Sequence, residues 1–184
     1  MRHLTTVALM LNLGIASLYA QQPAEEHSRD RRVRMRFSGS TMSTTLAIAP
    51  NTLNHESHVA GNSPLGPFTY RGLWADEPVP QYFGSCGSGF GPNFRLVAGG
   101  GVFRFEDGSL LTVTVTQGVL CVDVDHSVGH LTETYQITGG TGRLKGATGT
   151  FQSTGSLSVV LFSTSNAAVL LINTGQLKGT VQLP

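Results

Sequence analysis

Charge is scarce in this chain. Lys, Arg, Asp and Glu make up 12% of its 184 residues, where about 25% is usual. The 12 basic and 11 acidic side chains nearly cancel, which argues against a nucleic-acid partner held by bulk electrostatics. Tryptophan occurs once and cysteine twice. Neither Cys86 nor Cys121 has a CxxC partner or an adjacent His, so catalytic thiol chemistry lacks the electropositive setting that a reactive thiolate needs. No Gly-x-Ser-x-Gly is present and no carboxylate pair has glycosidase character, which removes two common signatures of hydrolases. Beyond residue 20, Thr, Ser, Asn or Gly breaks every apolar run before it reaches the ~20 residues of a membrane-spanning helix. No window has the periodicity and caps of an amphipathic helix.

Glycine, by contrast, contributes 23 residues and hydrophobic side chains 40%. With Thr, Ser and Val between glycine turns, this is the composition of an all-β globule. Met1-Arg-His, the largely apolar stretch from Leu4 to Leu18, and Leu18-Tyr-Ala before Gln21 have the form of a signal peptide. Cleavage after Ala20 is expected, with a retained amino-terminal anchor as the alternative. The expected division is a signal over 1–20, a flexible polar lead-in over 21–30 and one β-barrel domain over 31–184. The protein would then be secreted, periplasmic or extracellular, and not membrane-spanning. Two cysteines in an exported chain suggest one disulfide, Cys86 to Cys121.

Strand-like alternation recurs through the domain. Arg32, Arg34 and Arg36 alternate with Val33, Met35 and Phe37, which puts the arginines on one face and the apolar trio on the other. Met42, Thr44, Leu46 and Ile48 continue in the same manner up to Pro50-Asn51. Shorter runs cover Ser57 to Gly61 and Pro67 to Gly72, and Trp74 to Pro92 reads as the longest irregular segment. Phe103 and Phe105 alternate with Arg104 and Glu106 before the hairpin turn Asp107-Gly108. Leu111, Val113 and Val115 follow, and past Gly118 the apolar parity changes, which predicts a bulge or second turn. Further runs are Leu131 to Ile137, Gly149 to Ser153, Leu157 to Ser163, Val169 to Thr174 and Leu177 to Leu183. Eight to ten strands in one meander call for a barrel or a sandwich.

The segment Ile137-Thr-Gly-Gly-Thr-Gly-Arg-Leu-Lys-Gly-Ala-Thr-Gly149 resembles the GGTGxFxxAxG stretch of the allene oxide cyclase and dirigent proteins. The likeness extends over Phe94 to Thr154. It implies a single antiparallel eight-stranded barrel of the calycin type, and it transfers no active residue, because those of the two families lie outside the matched motif. Gly139, Gly140 and Gly142 are expected to allow positive φ, and Gly146 and Gly149 a close backbone approach. No Lys-Ser or Lys-Thr follows in P-loop spacing, so no phosphate-binding loop and no cofactor is expected.

Glu133 shares a strand face with Leu131, Tyr135 and Ile137. If that face lines the barrel, burial would raise the pKa of its carboxyl and fit it for proton transfer or for holding a polar ligand group. The alternative is a wet rim or a partner such as Arg95 or Arg104. Glu133 and Tyr135 are thus the candidate catalytic pair, and with Phe103, Phe105 and Trp74 they form the candidate ligand-binding set. Phe68, Tyr70, Trp74, Tyr82, Phe83 and Phe90 gather near the long loop, either as a lid on the barrel mouth or packed beneath it. His55 and His58 are three apart and Asp123, Asp125, His126 and His130 form a second polar cluster, but solvated hairpin ends explain both and no metal is expected. Three functions remain. The leading one is non-catalytic binding of a small apolar or amphipathic molecule. The others are an isomerase or cyclase without a cofactor, and a structural or surface-interaction protein whose barrel is filled. Oligomeric state is open.

Overall fold

The computed structural model describes residues 29–82, 86, 91–123, 127–164 and 167–184. The expected signal and most of the lead-in lie outside them, and Arg29 and Asp30 already belong to the first strand. The strands are β1 (Arg29–Ser43), β2 (Leu53–Asn62), β3 (Phe68–Asp76), β4 (Asn93–Phe105), β5 (Leu110–Asp123), β6 (Val128–Gly140), β7 (Thr148–Phe162) and β8 (Ala168–Leu183). Each pairs antiparallel with the next, and β1 closes on β8 from Arg29↔Leu183 to Met42↔Leu170. The architecture is a closed eight-stranded antiparallel barrel. Closure leaves no unpaired edge, which suits a chain with few charges to guard one.

Alternation decides which side chains enter the barrel. Val33 and Met35 are buried while Arg32, Arg34 and Arg36 face solvent. The parity change near Gly118 is a bulge: the β5–β6 register shifts between Val115 and Gln117, which leaves Thr116 unpaired and β5 continuous. Asp107-Gly108 turns the β4–β5 hairpin, with Gly108 at φ 82°.

Several sequence expectations are corrected. The run from Met42 to Ile48 is not one strand, because β1 ends at Ser43 and the Thr44 amide bonds to the Asn54 carbonyl, closing the hairpin to β2. Leu46 and Ile48 are therefore exposed. The runs Gly149 to Ser153 and Leu157 to Ser163 form one strand, β7, and the last two runs form β8. Gly139 and Gly140 are extended residues of β6, whereas Gly142, Gly146 and Gly149 have positive φ. At Gly140 the requirement is closeness, since a Cβ there would sit 2.2 Å from the Leu144 carbonyl oxygen. Trp74 to Asp76 belong to β3, so the irregular segment begins at Glu77.

The barrel has a closed end and an open end. At the closed end Val33, Met35, Phe68, Phe103, Phe105 and Phe151 belong to one core cluster. Phe103 packs edge-on against Phe68 at 5.5 Å and against Phe151 at 6.2 Å between ring centroids. Arg143 seals this end from a single 3-10 turn (Gly142–Leu144). Its guanidinium lies 5.5 Å from the Phe105 ring centroid, pairs with Asp107 at 2.6 Å and donates to the Leu65 carbonyl. A second cluster of Trp74, Leu96, Leu131, Leu157 and Leu171 fills the upper half. Above it, among the described residues, lies an open cavity.

Candidate functional site

Two cavities lie along the barrel axis. The deeper one is small, about 30 Å³. That is room for water and not for an organic ligand. Glu133 and Tyr135 reach it from β6, Tyr70 and Trp74 from β3, Phe103 from β4 and Ser57 from β2. Glu133 is only 4% exposed. Tyr135 donates a 2.8 Å hydrogen bond to its Oε2, and Oε1 has no hydrogen-bond partner. Burial pushes the Glu133 carboxyl up to about 7, with the Tyr135 and Ser153 hydroxyls opposing the rise. Burial, together with the nearby Glu133 charge, also raises both Tyr70 and Tyr135 above the usual phenol range. The arginine partners considered for Glu133 are engaged elsewhere or remote: Arg95 pairs with Glu77, and Arg104 faces solvent.

Room for Tyr70 comes from glycine. Gly72 and Gly101 pair across β3 and β4, and a Cβ on Gly72 would lie 2.1 Å from the Tyr70 hydroxyl. Outside the wall, Glu133 also borders a polar groove of about 380 Å³ with Arg95, Gln117 and Thr132. The groove follows a stretch where β4 and β5 are unpaired, between Arg95↔Val119 and Gly100↔Thr114.

The larger cavity, about 580 Å³, is the barrel mouth. Its size falls in the range of small-molecule sites, roughly 300–1,000 Å³. Leu120 and Val122 of β5, Leu157 and Val159 of β7 and Leu171 of β8 make its walls largely apolar. Ser43, Thr44, Thr52, Asn54 and Ser127 add hydroxyl and amide groups to its lining, and its titratable groups come from β2 and β3. β2 and β3 pair His55 with Trp74 and Leu53 with Asp76, which brings an imidazole and a carboxylate onto the inner face. His55 Nε2 lies 3.6 Å from Asp76 Oδ1, and the His55 ring stacks on Trp74 with centroids 4.0 Å apart. Both ring nitrogens of His55 and Oδ1 of Asp76 are buried without a hydrogen-bond partner. Groups in this state cost stability until something satisfies them. Trp74 lines both cavities and stands between them, its Nε1 donating to Ser57 Oγ at 3.0 Å on the inner side.

No family model and no curated protein matches this chain. The solved structure of the pterocarpan synthase dirigent protein GePTS1 shares 13% identity over 85% of this chain and 86% of that one, at a TM-score of 0.46.

The candidate residues fall into three groups. Glu133, Tyr135 and Phe103 face the inner cavity, Trp74 borders both, and Phe105 lies under Arg143 and lines neither. Four of the six aromatics read as a lid or as packing beneath the long loop are among the described residues. Phe68 and Tyr70 are inward residues of β3, Tyr82 is exposed, and Phe83 and Phe90 lie outside the described residues. Cys86 and Cys121 form a disulfide that ties the β3–β4 segment to β5 beside the mouth, with Cα atoms 5.8 Å apart. Of the two histidines, His55 points inward and His58 outward to Glu56 at 2.9 Å. Asp125 and His126 lie outside the described residues, among which no three His, Cys, Asp or Glu converge as a metal site would need. Sequence reasoning missed Asp76 and the apolar walls. The signal was present: Phe68, Tyr70, Gly72, Trp74 and Asp76 share one period-two face.

Proposed function

We propose that the protein binds a small, mainly apolar molecule in the barrel mouth, with one polar group of that molecule against His55 and Asp76. The observation that carries this reading is a cavity of about 580 Å³ with apolar walls and unpartnered buried polar atoms at one point of its lining. A packed interior would have favoured a purely structural role, but packing stops short of the mouth, where the cavity lies. Catalysis by Glu133 and Tyr135 has less support, because the cavity they face is about 30 Å³ and Trp74 separates it from the mouth. The disulfide supports export, since such bonds persist in oxidising compartments.

Trp74 is the lone tryptophan of the chain and lines the site, so it reports binding directly. Titration with the neutral dye N-phenyl-1-naphthylamine should give saturable energy transfer from Trp74. Ala168→Phe, which narrows the mouth, should weaken that binding at least tenfold. Absence of saturable transfer to the dye, or an unchanged affinity in the variant, rejects the reading.

A further inference from the structure

Among the described residues, eight of the twelve exposed large hydrophobic side chains gather at one end of the barrel, and Met42, Val97, Val102 and Ile172 lie along the strands. Leu46, Ile48 and Leu53 project from the β1–β2 connection, and Val160, Leu161 and Phe162 from the end of β7. Val79 and Tyr82 add a third stretch on the β3–β4 connection. All three border the open mouth. At the end of β7 strand alternation fails: the register with β8 shifts on both sides of Leu161, and three consecutive apolar residues are 57%, 53% and 49% exposed, Phe162 also lining the mouth. Residues 44–53 and 156–170 contain no Asp, Glu, Lys or Arg. The closed end is the opposite, since its turns carry Glu106, Asp107, Arg143 and Lys145. The outer wall between the ends mixes exposed polar residues such as Arg34, Thr154 and Thr174 with isolated apolar ones, Val97, Val102 and Ile172.

We propose that this apolar rim, free of charge over residues 44–53 and 156–170 though flanked by Glu77 and Asp123, docks the barrel, mouth first, on a neutral lipid surface. A contiguous exposed apolar patch on a soluble domain marks an interaction site. Here it forms a collar of loop tips around an opening, a shape that dips into a bilayer interface more readily than it packs on a flat protein face. The absence of charge on two of its segments removes the electrostatic attraction that draws basic segments to anionic lipid. An apolar molecule could then pass from lipid into the mouth without crossing water, a purpose that rests on the binding proposed above, whereas docking itself does not.

The test is sedimentation of the full-length protein with phosphatidylcholine vesicles. Binding is expected without anionic lipid, and its affinity should change less than twofold between about 0.05 and 0.5 M salt. Leu46→Asp combined with Leu161→Asp should weaken it at least tenfold, while Arg34→Glu leaves it unchanged. Neither rim residue lines the cavity, so dye binding read from Trp74 should survive in the rim variant and prove it folded. Loss of dye binding with vesicle binding intact would reject the ligand reading alone. No binding to neutral vesicles overturns docking. So does binding that needs anionic lipid and disappears with salt, which would point to the β1 arginines. Equal binding by the double variant also overturns it, because the apolar segment before residue 20 would then explain the attachment. Self-association that the rim substitutions abolish, with no vesicle binding, would assign the rim to a second copy.

Discussion

The Tyr135 hydroxyl donates a 2.8 Å hydrogen bond to the carboxylate of Glu133, two residues earlier on the same inward face of β6. The pair is closed off from solvent, and the other carboxylate oxygen has no partner. A neutral carboxyl suits this setting better than a charged one.

Stability should therefore fall as pH rises. The folded carboxyl titrates near 7 and the unfolded one near 4.5, so between those values the native state holds a proton that the unfolded chain has lost. The penalty is absent below about pH 4.5 and fully developed above about pH 7, reaching about 3 kcal/mol. Urea unfolding across pH 4.5–8 should show this decline, and Glu133→Gln should flatten it. A wild-type curve that rises over the window contradicts the assignment.

Reduction of Cys86–Cys121 should destabilise the barrel. The bond spans 35 residues, for which loop-closure entropy of the unfolded chain corresponds to about 4 kcal/mol. For a domain of this size the melting temperature should drop by roughly 10 °C. Differential scanning calorimetry with and without a phosphine reductant measures it. Leu120 and Val122 flank Cys121 and line the mouth, so dye affinity should fall as well.

Gly72→Ala should cost about 1–3 kcal/mol by overpacking. The three atoms nearest the added methyl all belong to the Tyr70 ring, at 2.1–2.7 Å. Combining it with Tyr70→Val should recover much of that loss, giving a coupling energy above about 1 kcal/mol in a double-mutant cycle. Strict additivity would show that the clash is relieved in another way.

His55→Phe keeps a ring on Trp74 and removes the two nitrogens. Affinity for a wholly apolar probe should be unchanged or improved. Affinity for an analogue bearing one hydroxyl or carbonyl should fall about tenfold, the cost of one lost hydrogen bond. Competition against the dye reads both, and equal losses for the two probes would show that the imidazole only fills space.

Much of the barrel was legible in the residues because its strands obey a period of two. Val33 and Met35 could be placed opposite Arg32 and Arg34 by counting, and Leu131, Glu133, Tyr135 and Ile137 could be put on one inward face. Counting failed where alternation continued past a strand end. Leu46 and Ile48 keep the rhythm of β1 yet lie beyond Ser43, since only the bond from Thr44 to Asn54 reveals the hairpin. Depth along the barrel was equally hidden. Phe105 and Trp74 have the same inward parity and were grouped together, but one lies beneath Arg143 and the other beside the mouth. Position along the axis depends on how eight registers accumulate around the ring, and no single strand encodes it. Asp76 was missed for a simpler reason: it stands at the border of a loop-like segment, and the inward face of β3 runs one step further than the composition suggests.

Closure of the ring has a kinetic side. Its seam joins Arg29 to Leu183 and Met42 to Leu170, contacts between the first and last strands of the chain. Such pairings have the highest loop-closure cost and form late. Until the seam forms, β1 and β8 are bare edges and the mouth lacks part of its wall, so closing the ring competes with pairing to a neighbour.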